Sequence, residues 1–434
     1  MRRRHGGGRP DRVRRPRRTP PVPHARGRGP PLAAALRRRR RGRPAHRRGR
    51  GRADRRPAER DRRRHHHRPR RRPVLHPRRP PPQGARAVSA PSILTVERVA
   101  HGRTRRAARR RGVVVVLLLL LAGVFAASLM VGRTFYPPSD VLAVISGQDV
   151  PGASFTVGRL RLPRAVLALV VGLCFGMAGV AFQTMLRNPL ASPDIIGIST
   201  GASAAAAVGI VTFGLSGAAV SLLAIMVGLG VAVLIYVLSF RDGVAGTRLI
   251  LIGIGIAAML ESVIAYVLSR AAAWDFQEAV RWLTGSLNSA SWDDVLPVLV
   301  ALLVLGPLLV VKSGDLDMLQ LGDDAASALG VRVERTRILV IVAAVGLVAF
   351  ATAATGPIAF VAFLAGPIAA RIVGPGASLL VPSALVGALL VLVADLCGQF
   401  AFDHRYPVGV VTGVLGAPYL VYLIVRTNRA GGSL

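Results

Sequence analysis

Few residues in this 434-residue chain could do bond chemistry, and their surroundings exclude most catalytic uses. A phosphate-binding loop needs glycine directly before lysine and Ser or Thr after it, so that backbone N–H groups cradle the phosphates. The single lysine, Lys312, stands in PLLVVKS and fails that pattern, so no nucleotide site is expected on this chain. The triplet His65–His67 lies among arginines and prolines with nothing to fix a ligand geometry, and no metal site is expected there. Cys174 and Cys397 fall within apolar runs and read as small packing residues without a disulfide. Two carboxylates, Glu261 and Asp395, also stand inside apolar runs. Such groups either relay protons or find partners between helices. Two isolated carboxylates make a poor proton path, so the expectation is that they are satisfied by Ser, Gly or backbone donors. No catalytic residue and no cofactor is expected.

The elements that must position these groups are membrane helices. From Val113 onward the chain is a series of apolar runs, near 113–132, 163–186, 195–213, 217–239, 248–269, 294–312, 336–354, 357–373, 378–398 and 408–426. About twenty residues at roughly 1.5 Å each cross a ~30 Å hydrocarbon core. Runs of this length without alternation are helices rather than barrel strands. The fold class expected for residues 112–434 is therefore all-α, a membrane protein of about ten transmembrane helices.

Residues 1–111 form a different body. They hold 41 of the 58 Lys and Arg residues and 5 of the 21 Asp and Glu residues, a net of +36 against +1 for the remainder. Arg, Pro, Gly and Ala with almost no apolar clustering cannot bury a core, so disorder is expected. One reading is a basic arm for nucleic acid or anionic lipid. The other is that the head is not translated: one lysine against 57 arginines points to a GC-rich gene, and a start at Val88 leads through a short basic stretch into the first span. The second reading is preferred, and with it no nucleic-acid partner. Arg and Lys are more numerous in the loops on the side of the Arg103–Arg111 cluster, which places both termini in the cytoplasm.

The sharpest pattern is RLRLPRAVLALVVGLCFGMAGVAFQTMLRNPLASPDIIGISTGASAA, from Arg159 to Ala205. Arg187, Asn188 and Pro189, followed by Pro193 and Asp194, make a polar elbow between two spans, since Pro fits a first helical turn and Asp accepts from its free N–H groups. The ordered string RLPR, RNPLA-x-P-D-x-x-G, GA resembles the FecCD-type permeases of iron-siderophore and vitamin B12 uptake ABC transporters. WLTGSLN at 282–288, LGDDAASALGV at 321–331, GPIAFVAFLAGPIAARIVG at 356–374 and PVGVVTGVLGAP at 407–418 resemble elements of the same family. The resemblance covers roughly Val113 to Arg426. It departs where the family's Pro-His pair reads Gly366-Pro367 and the following arginine is shifted to Arg371. Gln399, where the vitamin B12 branch has arginine, and IGIG at 252–255 bring it nearest the ferric-enterobactin permeases.

The resemblance implies a vitamin-B12-permease-like ABC importer fold in the cytoplasmic membrane. Its implied partners are two copies of an ATP-binding subunit, a second permease (a similar chain or itself), a substrate-binding protein, and a ferric siderophore of catecholate type as cargo. It makes Leu321, Gly322, Asp323, Asp324, Ala325, Leu329 and Gly330 the coupling helix that seats in the ATPase. The residues alone show a short helix with carboxylates at its start and Gly330 at its end, which an ordinary loop helix would satisfy equally. The family assigns Arg161 and Arg164 to docking of the binding protein, with Arg405 a candidate to replace the arginine absent at Gln399; interfacial snorkelling is the plain alternative. Gly172, Gly176 and Gly179, then Gly409, Gly413 and Gly416, have spacings that let helix backbones approach. Trp274, Trp282 and Trp292 suggest a segment lying along the membrane interface. A vitamin B12 or haem permease remains an alternative, and from other classes an ion-coupled carrier using Glu261 and Asp395 or a nucleic-acid-binding membrane protein.

Overall fold

Apolar runs become helices because, in lipid, a helix satisfies every backbone group within its own segment. The computed structural model describes residues 93–429 apart from 195–196, 241–245, 375 and 377. The His65–His67 triplet, the proposed start at Val88 and residues 1–92 of the basic head lie outside the described residues; 93–111, expected to be disordered, are helical as the first part of α1, continuous with the apolar run that follows. In order the elements are α1 (Ile93–Met130), α2 (Pro138–Ile145), a π-helical segment (Ser154–Arg161) running directly into α3 (Leu162–Met185), α4 (Ile198–Phe213), α5 (Ala218–Ser239), α6 (Gly246–Ser269), α7 (Ala273–Leu283), α8 (Trp292–Val311), α9 (Ser313–Leu319), α10 (Asp323–Ala328), α11 (Val333–Thr355), α12 (Val361–Val373), α13 (Leu380–Phe400) and α14 (Val408–Arg429).

Each of the ten expected runs is helical. Among the described residues eight stretches are long and apolar enough to cross a bilayer, whereas α4 and α12 are apolar but shorter. Both short helices follow broken backbone. Gly197 enters α4 at φ 95°, and Phe360 enters α12 at φ 64° after Gly356 at φ 71°. Non-helical backbone at membrane depth is tolerated only inside protein, and both helices are largely buried.

Helix α3 is the centre of the bundle, buried along most of its length and flanked by α8, α11, α12 and α13. Its glycines explain the closeness. A Cβ at Gly172 or Gly176 would run into the backbone of α13 at Gly387–Ala388 or Ser383, and one at Gly179 into the Ala362 carbonyl of α12. The first glycine triplet is thus a packing seam. The second is mixed: Gly409 abuts the Thr284 carbonyl and Gly416 the Phe360 ring, while Gly413 faces open space. Around this core, α5, α6, α8 and α14 turn large apolar side chains outward, among them Met226, Met259, Leu303 and Val414. Lipid or another apolar helix must cover them.

The tryptophan segment is the helix α7 and its flanks. Trp274 (78% exposed) and Trp292 point outward as expected of interfacial rings. Trp282 instead turns inward, against Ala202, Ala224 and Ala353 and against Ala279 and Ile210.

Candidate functional sites at the two ends of the bundle

At one end lies the elbow between α3 and α4. Leu186 closes α3, and Arg187 follows at φ 53°, a left-handed position that glycine ordinarily takes. The Asn188 N–H donates to the Gln183 carbonyl (3.0 Å), and the Asn188 side-chain oxygen accepts from the Leu190 N–H (2.9 Å), so the expected turn is built by local hydrogen bonds. Further on, the Ser199 hydroxyl donates to Asp194 (2.7 Å). The second Asp194 carboxylate oxygen is buried without a partner, and burial pushes this carboxyl up to about 6.

Helices α9 and α10 reach the same elbow. Gly322 (φ 105°) starts α10 and Gly330 (φ 89°) follows it, while Asp323 and Asp324 occupy its first turn, where the helix dipole favours negative charge. Asp323 faces the protein body. Its carboxylate accepts from Arg187 (2.8 Å) and from Arg337 of α11 (2.9 and 2.8 Å). Within α10 only Ala326 is buried. Asp324 and Ala325 are exposed, flanked by Leu321 (66% exposed) and Leu329 (59% exposed). An exposed pair of leucines bracketing an acidic turn is a surface suited to a partner.

At the opposite end, arginines gather round a cavity of about 330 Å³ lined by Arg133, Arg161, Arg164 and Arg405 together with Asn288, Asp395 and Gln399. Arg161, the last residue of the π-helical segment, donates to the carbonyls of Leu129 (2.8 Å), Met130 (3.0 Å) and Thr134 (2.7 Å). It thereby caps the C-terminus of α1, and its guanidinium lies 5.1 Å from the Tyr136 ring centre. Arg164, in the first turn of α3, clasps Asp395 of α13 with two nitrogens (2.9 and 2.7 Å), and Gln399 donates to the same carboxylate (2.8 Å). Arg405 is exposed at the rim.

The three arginines expected at a docking surface are therefore brought together, with Arg133 added. Asp395 is satisfied as expected, but by Arg164 and Gln399 rather than by Ser, Gly or backbone donors. Only the four-residue spacing of Asp395 and Gln399 hinted at this, because Arg164 is 231 residues away. Glu261 stands exposed on α6, apart from Asp395, so the two carboxylates form no chain. The described residues contain no cluster of His, Cys, Asp and Glu able to hold a metal.

A third junction joins the WLTGSLN, GPIAF and PVG stretches. The Ser286 N–H donates to the Thr355 carbonyl (2.7 Å) and the Gly409 N–H to the Gly285 carbonyl (3.0 Å). Gly285, at φ 67°, lies against the Pro357 carbonyl with no room for a Cβ.

The family model that matches this chain, described as the FecCD transport family, covers residues 118–426. The chain belongs to the FecCD transport family. Among FecCD proteins, the ferric enterobactin transport system permease protein FepG of Escherichia coli is 40% identical over 312 residues, spanning 71% of this chain and 93% of the relative. The achromobactin transport system permease protein CbrC of Dickeya dadantii is 40% identical over 315 residues, 70% of this chain and 89% of the relative. The iron(3+)-hydroxamate import system permease protein FhuG of Bacillus subtilis is 36% identical over 315 residues, 70% and 94%. A solved metal-chelate type ABC transporter in an inward-facing conformation is similar in structure, with a TM-score of 0.66 at 29% identity, covering 73% of this chain and 99% of that one.

Proposed function

We propose that this FecCD permease is the membrane subunit of an ABC importer that carries a ferric siderophore, of catecholate type, across the cytoplasmic membrane. The observation that carries the reading is α10: a short, exposed helix anchored to the bundle through Asp323. That is the form a membrane subunit needs to receive force from a separate ATPase. Lys312, bound to Asp315 (2.9 Å), is engaged in a local ion pair. ATP binding and hydrolysis therefore fall to two partner subunits below the elbow end, which faces the cytoplasm. The catecholate assignment rests on the likeness to FepG and on Gln399.

The arginine-lined cavity at the opposite end serves the binding protein. Its four guanidinium groups outnumber the one carboxylate, Asp395, so acidic side chains of an approaching protein are attracted and held in register. Arg164 is neutralised by Asp395, which leaves Arg161, Arg405 and Arg133 to supply the net attraction. A second permease, identical or similar, covers part of the outward apolar surface and completes a central path. The subunit itself makes and breaks no bonds.

The test is uptake of radiolabelled ferric enterobactin by vesicles containing the assembled importer, with and without ATP. The variant is Asp324→Lys with Leu329→Glu, which reverses the exposed surface of α10 and leaves Asp323 in place. Wild-type uptake is expected to require ATP and to fall about tenfold or more in the variant, the loss that follows from ~1.4 kcal/mol of lost coupling. Uptake indifferent to ATP would overturn the reading in favour of an ion-coupled carrier.

A further inference from the structure

We propose that Arg187 and Asp323 form a transmission joint, so that the central helix α3 is the rod by which movement of α10 reaches the far end of the bundle. The inference rests on the reading of α10 as the ATPase-facing helix and assigns positioning residues to it.

Three observations carry it. First, Asp323 ties α10 to two elements at once: Oδ1 accepts from both Arg187 and Arg337, and Oδ2 from Arg337. With Ala326 the only buried residue of α10, this carboxylate is its main polar hold on the bundle. Second, Arg187 occupies a left-handed backbone position, φ 53°. A residue with a Cβ costs about 1 kcal/mol there and glycine costs almost nothing. The arginine side chain must therefore have a use that glycine cannot supply, and it is bonded to Asp323. Third, Arg187 directly follows α3, whose first turn holds Arg164 against Asp395 beside the arginine-lined cavity. At roughly 1.5 Å per residue, one continuous helix links the two sites over about 35 Å. Its glycines bring it directly against the backbones of α12 and α13, so a shift at one end of α3 is carried through a close-packed core. Movement of α10 pulls on Arg187, Arg187 moves the end of α3, and α3 displaces Arg164 and the cavity wall.

The experiment measures three quantities on the assembled importer: thermal midpoint of the permease, ATP hydrolysis, and ferric enterobactin taken up per ATP. The variants are Arg187→Gly, Arg187→Lys and Asp323→Asn. Arg187→Gly removes the side chain from a position that favours glycine, so its thermal midpoint should equal or exceed the wild type. ATP hydrolysis should stay within about twofold while uptake per ATP falls about tenfold, a coupling loss of ordinary size. Asp323→Asn should likewise lower uptake per ATP, and Arg187→Lys, which keeps the cation, should retain most uptake per ATP. Wild-type uptake per ATP in Arg187→Gly would overturn the joint. So would a parallel loss of hydrolysis and uptake in both Arg187→Gly and Asp323→Asn, which would place these residues at the ATPase contact instead. If the importer reading itself were wrong, the wild type would show no ATP-dependent uptake, an outcome separate from either.

Discussion

Asp395 shows how a carboxylate can lie within a membrane helix. Its side chain is 5% exposed and that of Arg164 17%, and the pair is bidentate with Gln399 completing the shell. Removing one partner from such a pair leaves a desolvated charge, a loss of about 3–5 kcal/mol, whereas replacing both with apolar groups of similar size is close to neutral. Asp395→Ala should therefore lower the thermal unfolding midpoint of the detergent-purified subunit sharply, while Arg164→Met with Asp395→Leu should restore most of it. Equal losses in the single and double variants would show that the pair contributes nothing beyond its packing. At this scale the sequence was only half informative. That Asp395 stood inside an apolar run was plain, and so was the acidic start of α10. Which arginine met which carboxylate was not, because Arg164–Asp395 and Arg187–Asp323 are contacts of tertiary packing between residues far apart in the chain.

Helices were the most legible level, since hydrophobic length alone dictates them. All ten apolar runs are helical, and α10 lies between its two expected glycines. The segments missed are those whose signals are local and weak: the basic stretch 93–111 that opens α1, α2, the π-helical turn before α3, and α9 as a helix separate from α10. The shortness of α4 and α12 was also hidden, because it depends on the positive φ of Gly197 and Phe360 rather than on composition. Glycine spacing gave one seam and one mixture, which sets up a contrast. Gly176→Val places side-chain atoms where the Ser383 backbone lies, and overpacking of this kind costs about 3 kcal/mol or more. Gly413→Ala meets open space in the subunit and should gain up to about 1 kcal/mol of helix propensity. Thermal unfolding of the two variants in detergent checks the pair; similar midpoints would remove the distinction between the seams.

For the molecule as a whole, charge divides the chain where hydropathy does. The family match begins at residue 118, and this chain covers 93% of FepG with only 71% of its own length. The basic head lies outside the family match. A chain begun at Val88 should insert, assemble and take up ferric enterobactin within about twofold of the full chain, because an Arg/Pro/Gly-rich stretch with almost no apolar residues has no core to contribute; an uptake loss beyond tenfold would give the head a role. Overall architecture followed from hydrophobic runs and motif order, but the convergence of the WLTGSLN, GPIAF and PVG stretches on one junction did not, since motif order says nothing about distance in space. That junction also bears on biogenesis. The Gly285 carbonyl finds its N–H partner at Gly409, on α14, about 120 residues later in the chain and the C-terminal-most of the described helices. Until α14 is inserted, the peptide groups around residue 285 lack that closing bond. The junction therefore closes only once residue 409 has been made and α14 has docked, and a chain cut short before residue 408 leaves the Gly285 carbonyl without that partner.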